Sequence, residues 1–353
     1  MDLILLLNNV MKSQLIKPIS ETEMRILSLP TVVQREIFGH FKLEELLFLS
    51  FCSKRFKYLI QSIQGHRLKQ IETITYTFSR GKFSIGAGTL FHLTLYEGYS
   101  CITPMELFGM SRETPCCWNR SPSCSLYNYD GKRRDSIIQG VHSYIQQFFG
   151  PSTYYEIESF NELPTSLENI RRSYIFLPDN SKPKELEACF KKSPIQQYVW
   201  LEGRLNGNLS SNSVIYKTEY LEVDHFRIGD FLIHFKGDYL RCNHTSLDNT
   251  EIVEFLNAWK SNERCKNLKV LTIYSMFDLD KNEILGKVGH KSLNPWEFVE
   301  WDIRDDNGGD NITTTTTRDY LIRESDGKRA YVNITPKVVY LAVFGSTGNY
   351  IKF

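Results

Sequence analysis

Thiolates and imidazoles are the side chains that hold zinc or attack a carbonyl carbon, and this chain has eight cysteines and eight histidines. Their spacing suits neither role. The tightest group of cysteines, Cys101, Cys116, Cys117 and Cys124, lacks the two CxxC or CxxH pairs of a zinc site. Cys52, Cys189, Cys242 and Cys265 are scattered, the distribution expected in a reducing compartment rather than in a disulfide framework. His225, His234 and His244 recur near expected strand ends, but no acid or cysteine spacing turns them into a metal set, so they read as exposed or core-edge histidines. Asp278-Leu279-Asp280-Lys281-Asn282 begins like a calcium loop, yet Glu283 stands where that loop needs glycine; an acidic turn is expected. Gly86-Ala87-Gly88 lacks the third glycine and the following helix of a phosphate loop and reads as a turn. A Cys/His nucleophile pair, an HExxH pair, a GxSxG elbow and a Walker loop are all absent. The expectation is a protein without catalytic, cofactor-binding or metal-binding residues.

Composition narrows the partners. With 353 residues and 41% hydrophobic content the chain can form one large or two ordinary domains with packed cores. Lys and Arg number 42 against 41 Asp and Glu, a net charge of +1, so no whole-chain field draws in nucleic acid or an anionic membrane. Aromatic content of 13% suits β-structure and a recognition surface. At the N-terminus the apolar run Leu3 to Leu7 follows an acid and is too short for a signal peptide or a membrane span. A cytoplasmic or nuclear setting is expected, with sequons such as Asn311-Ile312-Thr313 idle.

Binding, rather than reaction, must then be positioned by the elements of the chain, and Leu29 to Ile60 is the densest candidate. Leu29-Pro30 opens a first helical pattern, with proline at a helix start where its missing N–H costs nothing. Val33, Ile37 and Phe41 form its stripe, widened by Val32 and Phe38. A second pattern, Leu43 to Ser50, carries Leu43, Leu46, Leu47 and Leu49, with Glu44 and Glu45 at the positive end of its dipole. The third begins at Ser53, a good N-cap, and runs through Phe56, Leu59, Ile60 and Ile63 with Lys54, Arg55 and Lys57 outward. Three such short helices cannot hide this many apolar side chains, so the stretch reads as a docking handle.

Leu29-Pro30, Ile37, Leu46-Leu47, Leu49-Ser50 and Cys52-Ser53-Lys54 together resemble an F-box. That resemblance implies binding to the Skp-type adaptor of cullin-based ubiquitin ligases, with Leu29, Pro30, Val33, Ile37, Leu46 and Leu49 meeting the adaptor. Thr31 and Phe56 stand where many F-boxes carry a second proline and a tryptophan, a departure expected to alter affinity.

Downstream, Ile71 to Phe78 and Leu90 to Tyr96 read as strands, and Cys101 to Arg134 as a long irregular loop or insertion. Asp135 is placed to cap a helix with the stripe Ile138, Val141, Ile145 and Phe148. Strands follow at Tyr154 to Ile157, Gln197 to Leu201, Tyr220 to Val223, Tyr239 to Asn243 and Leu268 to Tyr274. Between them lie a helix with Leu186, Cys189 and Phe190, an apolar patch at Ile228, Phe231 and Leu232, and a helix with Ile252, Phe255, Leu256 and Trp259 opened by the Asp248/Glu251 capping box. This alternation predicts irregular stacked β/α units like those of leucine-rich repeats, or else an ordinary α/β domain with a partly parallel sheet. Asp305 to Thr317 reads as a mobile polar loop. Asp326-Gly327 predicts a two-residue hairpin turn between Tyr320 to Arg323 and Ala330 to Ile334, and Val338 to Phe344 a last strand.

The span Val214 to Phe344 resembles the second type of F-box associated domain found in nematode F-box proteins, on Tyr220 to Val223, the helix with Phe255 and Trp259, Leu268 to Tyr274 and Asp326 to Ala330. The expected fold is α+β or α/β: an N-terminal extension (1–24), a three-helix F-box (25–66), a β/α region (67–213) and the associated domain (214–353). The resemblances imply a substrate-recognition subunit of a ubiquitin ligase, with the adaptor and cullin complex and an unknown target protein as partners. The alternative is a non-catalytic scaffold or sensor acting outside a ligase.

Overall fold

Ser53 starts a helix where the sequence places one: its Oγ accepts the Phe56 N–H at 3.2 Å. The computed structural model describes residues 26–88, 92–97, 119–121, 124–129, 131–304 and 312–344. The chain divides into two units, Met1–Gln70 and Ile71–Phe353.

In the first unit a 3₁₀ turn, Ile26–Ser28, leads into α1 (Thr31–Gly39), α2 (Leu43–Cys52) and α3 (Lys54–Leu68). The Glu45 carboxylate accepts the Lys42 N–H at 2.7 Å and closes the start of α2. Leu43, Leu46, Leu47 and Leu49 of α2 are buried, as are Ile60, Ile63 and Leu68 of α3. Two expected faces are rotated. In α1 the buried positions are Gln34 and Phe38, while Val33 and Val32 turn outward. In α3 the buried line runs Lys57, Ile60, Gln64 and Leu68; Lys57, expected outward, is inside, and burial lowers its amine pKa.

The second unit begins with strands β1 (Thr73–Ser79), β2 (Lys82–Gly86), β3 (His92–Glu97), β4 (Asn119–Ser121) and β5 (Cys124–Tyr129). After α4 (Arg134–Phe149) come β6 (Tyr154–Phe160) and β7 (Ile170–Phe176), then α5 (Pro183–Cys189), β8 (Tyr198–Glu202) and β9 (Tyr220–Asp224). Next are α6 (Gly229–His234), β10 (Tyr239–Thr245), α7 (Asn249–Lys260), β11 (Val270–Ser275) and α8 (Lys281–Val288). The chain continues through β12 (Lys291–Ser292), β13 (Val299–Arg304), β14 (Ile312–Thr317), β15 (Asp319–Ile322), β16 (Arg329–Ile334) and β17 (Val338–Phe344).

All of these strands except the β13–β14 pair join one sheet, in the order β12-β15-β16-β17-β11-β10-β9-β8-β7-β6-β1-β2-β3-β5-β4. From β1 through β6 to β11 every neighbouring pair is parallel, and each strand from β7 to β11 lies beside its predecessor in the chain. The starts at Tyr154, Ile170, Tyr198, Tyr220, Tyr239 and Val270 follow no single period. Parallel neighbours need crossover connections, and α5, α6 and α7 supply three of them on one face. There Leu186, Phe231, Leu232, Ile252, Phe255, Leu256 and Trp259 pack on Val199, Leu201, Leu221, Val223, Leu240, Leu271 and Ile273. Each fully buried side chain of this size contributes about 1.5–3 kcal/mol relative to exposure. The capping box of α7 is present: Glu251 N–H donates to Asp248 Oδ1 at 2.9 Å, and Asp248 N–H to Glu251 Oε2 at 3.1 Å.

Several expectations are corrected. The boundary placed at 213/214 falls inside one sheet, since β8 and β9 pair directly across it. The stretch read as irregular contains β4 and β5; Cys101, Cys116 and Cys117 lie outside the described residues. Strands β2 and β7 were not foreseen. Asp135 does not cap α4, which starts at Arg134; its Oδ1 accepts the Thr165 hydroxyl at 2.6 Å. The threonine run is strand β14, paired with β13, and within it Thr315 and Thr317 are buried. Asp280 caps α8 by accepting the Asn282 and Glu283 N–H groups at 2.9 and 3.0 Å, so a helix follows where an acidic turn was expected. The β15–β16 hairpin is present but its turn is longer than two residues. Arg323 N–H bonds Lys328 C=O, and the Arg323 guanidinium clamps Asp326 at 3.0 and 2.6 Å, holding that carboxyl well below its usual range.

Candidate functional site

The first unit offers a surface built by α1. Pro30 takes the N-cap position with an extended backbone (φ −56°, ψ 144°), and its ring is exposed. Positions 30, 33 and 37 fall on one helical stripe. Along it Pro30 and Val33 are exposed and Ile37 and the adjoining Leu29 half-buried; Val32 widens the surface at 77% exposure. Leu46 and Leu49 do not reach it. They are 0% and 4% exposed, so four of the six expected contact residues share this surface and these two are core.

What fixes α1 is a polar clamp that apolar periodicity cannot reveal. The Arg67 guanidinium on α3 donates to the carbonyls of Phe38 at 3.2 Å and Phe41 at 2.8 Å, one at the end of α1 and one in the turn that follows it. Gln64 joins it, accepting from Arg67 at 3.1 Å and donating to the Arg35 carbonyl at 3.4 Å. Gln34 anchors the preceding turn by donating to the Ile26 carbonyl at 3.1 Å. Arg67→Ala is expected to destabilise this unit by about 2 kcal/mol, the scale of hydrogen bonds to a charged group. Arg67→Lys should restore little, because a point charge cannot span carbonyls at separate angles. Denaturant midpoints followed by circular dichroism check both.

The second unit has a sheet face opposite its covering helices, and aromatic and charged side chains line it in register. One row runs Glu156, Arg172, Tyr198, Tyr220, Tyr239 and Val270; the next runs Glu158, Tyr174, Trp200, Glu222, Arg241 and Thr272. Ring centroids are 5.2 Å apart for Tyr174 and Tyr198, 5.0 Å for Tyr198 and Tyr220 and 5.7 Å for Tyr220 and Tyr239. Arg172, Tyr174, Tyr220 and Tyr239 border a hollow of about 310 Å³. In the neighbouring row the Glu222 carboxylate, 1% exposed, accepts from the Tyr198 hydroxyl at 3.1 Å and from Asn243 Nδ2 at 2.8 Å, with Arg241 Nε at 3.5 Å. Burial, then the Glu222 charge, pushes the Tyr198 phenol far up, so it remains a hydrogen-bond donor. Of the aromatics singled out in the sequence, Tyr198, Tyr216 and Trp301 are buried, Trp200 and Tyr239 line this face, and Trp296 is 92% exposed.

A third cluster sits where β9 and β10 end. His225 and His244, which the sequence leaves as unrelated residues, are brought together around Asp224: Nδ1 of His244 lies 2.7 Å and Nε2 of His225 3.6 Å from Asp224 Oδ1. His234 is elsewhere, its ring 5.5 Å from that of Tyr216. Glu202 is the cross-strand neighbour of Asp224; burial and the Asp224 charge push its carboxyl up, against the pull of the two histidines. Strand register supplies this proximity, which a scan for ligands close in sequence cannot see.

Residues 26–68 match the F-box domain family. No curated protein and no solved structure matches the chain. The chain thus carries an F-box domain, a module whose family role is to attach a protein to the Skp-type adaptor of a cullin-based ubiquitin ligase. Among the described residues, no helix is long and apolar enough to cross a membrane.

Proposed function

We propose that this protein is a substrate-recognition subunit of a cullin-based ubiquitin ligase, joined to the adaptor by the surface of α1 and to a target protein by the second unit. The supporting observation is the F-box match at residues 26–68 on a unit whose Leu29, Pro30, Val33 and Ile37 stay at the surface while Leu46 and Leu49 are buried. The chain then performs no chemistry: it holds the target near the partner subunits that transfer ubiquitin, and raised effective concentration supplies the gain. The second unit, of which residues 214–353 read as an F-box associated domain of the second type, offers the tyrosine-lined face to the target, since Tyr, Trp and Arg dominate protein-binding hot spots. A cytoplasmic or nuclear setting goes with this role.

Capture of purified Skp-type adaptor by the full chain tests the reading. Val33→Asp with Ile37→Asp should weaken capture by about 2 kcal/mol or more, roughly 30-fold, with helical content unchanged. Equal capture by wild type and variant would reject it. Capture of the adaptor without ubiquitination of any bound partner would favour the scaffold or sensor reading.

A further inference from the structure

Asp224 ends β9 and His225 follows it, while His244 lies in β10. Both histidines adopt left-handed backbone conformations, with φ of +62° and +49°, a region that few residues other than glycine enter and that concentrates at functional sites. The register of β10 against β11 shifts between Cys242 and Thr245, a bulge spanning His244, and bulges re-aim side chains at sheet ends. These two departures turn both imidazoles onto one carboxylate. The ring centroids are 4.7 Å apart, and one ligand atom from each of the three residues lies within 4.8 Å of the others. Glu202 stands opposite Asp224 on the adjoining strand.

We propose that Asp224, His225 and His244 form a binding site for one divalent transition-metal ion of the zinc class. Imidazole and carboxylate are its ordinary ligands, at about 2.0–2.2 Å, which sets neighbouring ligand atoms about 3.3 Å apart. The present separations of 2.7 and 3.6 Å bracket that value. The rings lie nearly parallel, at 14°, so their lone pairs converge only after the imidazoles rotate. At 45% and 59% side-chain exposure, His225 and His244 are free to do so. Asp224, at 13%, is the fixed point. Three protein ligands leave a position open to water or to the Glu202 carboxylate. Two imidazoles select zinc-like ions over magnesium and calcium, which prefer oxygen donors throughout. The site is independent of the adaptor-binding surface.

Isothermal titration of the tag-free full chain, freed of metal by chelator, with zinc chloride and separately with magnesium chloride tests the proposal. His225→Asn and His244→Asn remove an imidazole while keeping a residue that tolerates positive φ, so folding is preserved, as circular dichroism would verify. Zinc should bind and magnesium should not. Each variant should bind zinc about tenfold or more weakly, the scale known even for losing a supporting contact of a metal ligand. Cobalt(II) should give a visible ligand-field band that both variants lose. Absence of zinc binding, or zinc and cobalt binding unchanged in both variants as cysteine ligation would give, overturns the proposal.

Discussion

Acidification from pH 6.5 to pH 4 should cost the folded state roughly 3 kcal/mol through one residue, His142, whose pKa is lowered to about 4 from an ordinary value of 6.5. Its side chain is buried in α4, packed edge-on against Tyr76 and Tyr155 at 5.2 and 5.5 Å. Nε2 lies 2.8 Å from the Glu168 carbonyl and so carries the hydrogen; Nδ1, 2.9 Å from the Tyr76 oxygen, accepts that hydroxyl. Burial is the main cause of the shift, opposed by the Glu168 hydrogen bond and aided by the Lys192 charge. The folded state holds this imidazole neutral, whereas the unfolded chain binds a proton below pH 6.5. Its contribution is therefore fully present above pH 6.5, falls as pH drops toward 4 and levels off below. Urea denaturation across this range should show the slope in wild type and flatten it in His142→Gln, whose amide can donate and accept in the same places. Equal slopes would contradict the assignment.

Gly237→Ala should be comparably severe. A Cβ at this buried position would lie 1.9 Å from the Thr218 carbonyl oxygen, 2.6 Å from the Phe235 ring and 3.0 Å from the Glu219 carbonyl oxygen. Two of these neighbours are backbone, in the segment that enters β9, and cannot yield by a rotamer change. Lys236, Asp238 and Tyr239 all hydrogen-bond that segment through their N–H groups, so relief must separate β9 from β10. The expected cost is about 3 kcal/mol or more, at the upper end for overpacking. Gly286, inside α8 with nothing within 4 Å, is the control: Gly286→Ala should stabilise by about 0.5–1 kcal/mol. Thermal unfolding of both variants decides; a Gly237→Ala protein as stable as wild type would show that this approach carries no strain.

Much of this architecture was legible where one local signal was strong. Ser53, the Asp248/Glu251 box and the stripe of Ile252, Phe255, Leu256 and Trp259 located their helices, because caps and 3.6-residue periodicity act within one turn. What failed depended on partners distant in the chain. The threonines of β14 look like a polar loop until β13 pairs with them. Strand β7, Ile170–Phe176, carries two arginines and a tyrosine, and becomes strand-like only once β6 and β8 flank it. On α1, Val33/Ile37 and Gln34/Phe38 are overlapping stripes, and periodicity cannot choose between them; the clamp through Gln34, Gln64 and Arg67 does. The F-box surface was thus readable as a stretch but not as a list of exposed residues. The Asp224/His225/His244 cluster was unreadable because it is assembled by register.

The succession of β6 to β11, each strand beside the one made just before it, also bears on how this unit assembles. Contacts between such neighbours close short loops, which cost little chain entropy and favour rapid formation. A newly formed pair of strands is a template for the next, so order can spread outward like a zipper from wherever the first pair takes hold. The antiparallel partner of β11 must wait: β17 is separated from it in the chain by α8 and β12 to β16. Truncation after residue 275 would then leave a nascent array whose growing edge is open, and its capture by a second chain is the hazard that the last strands remove.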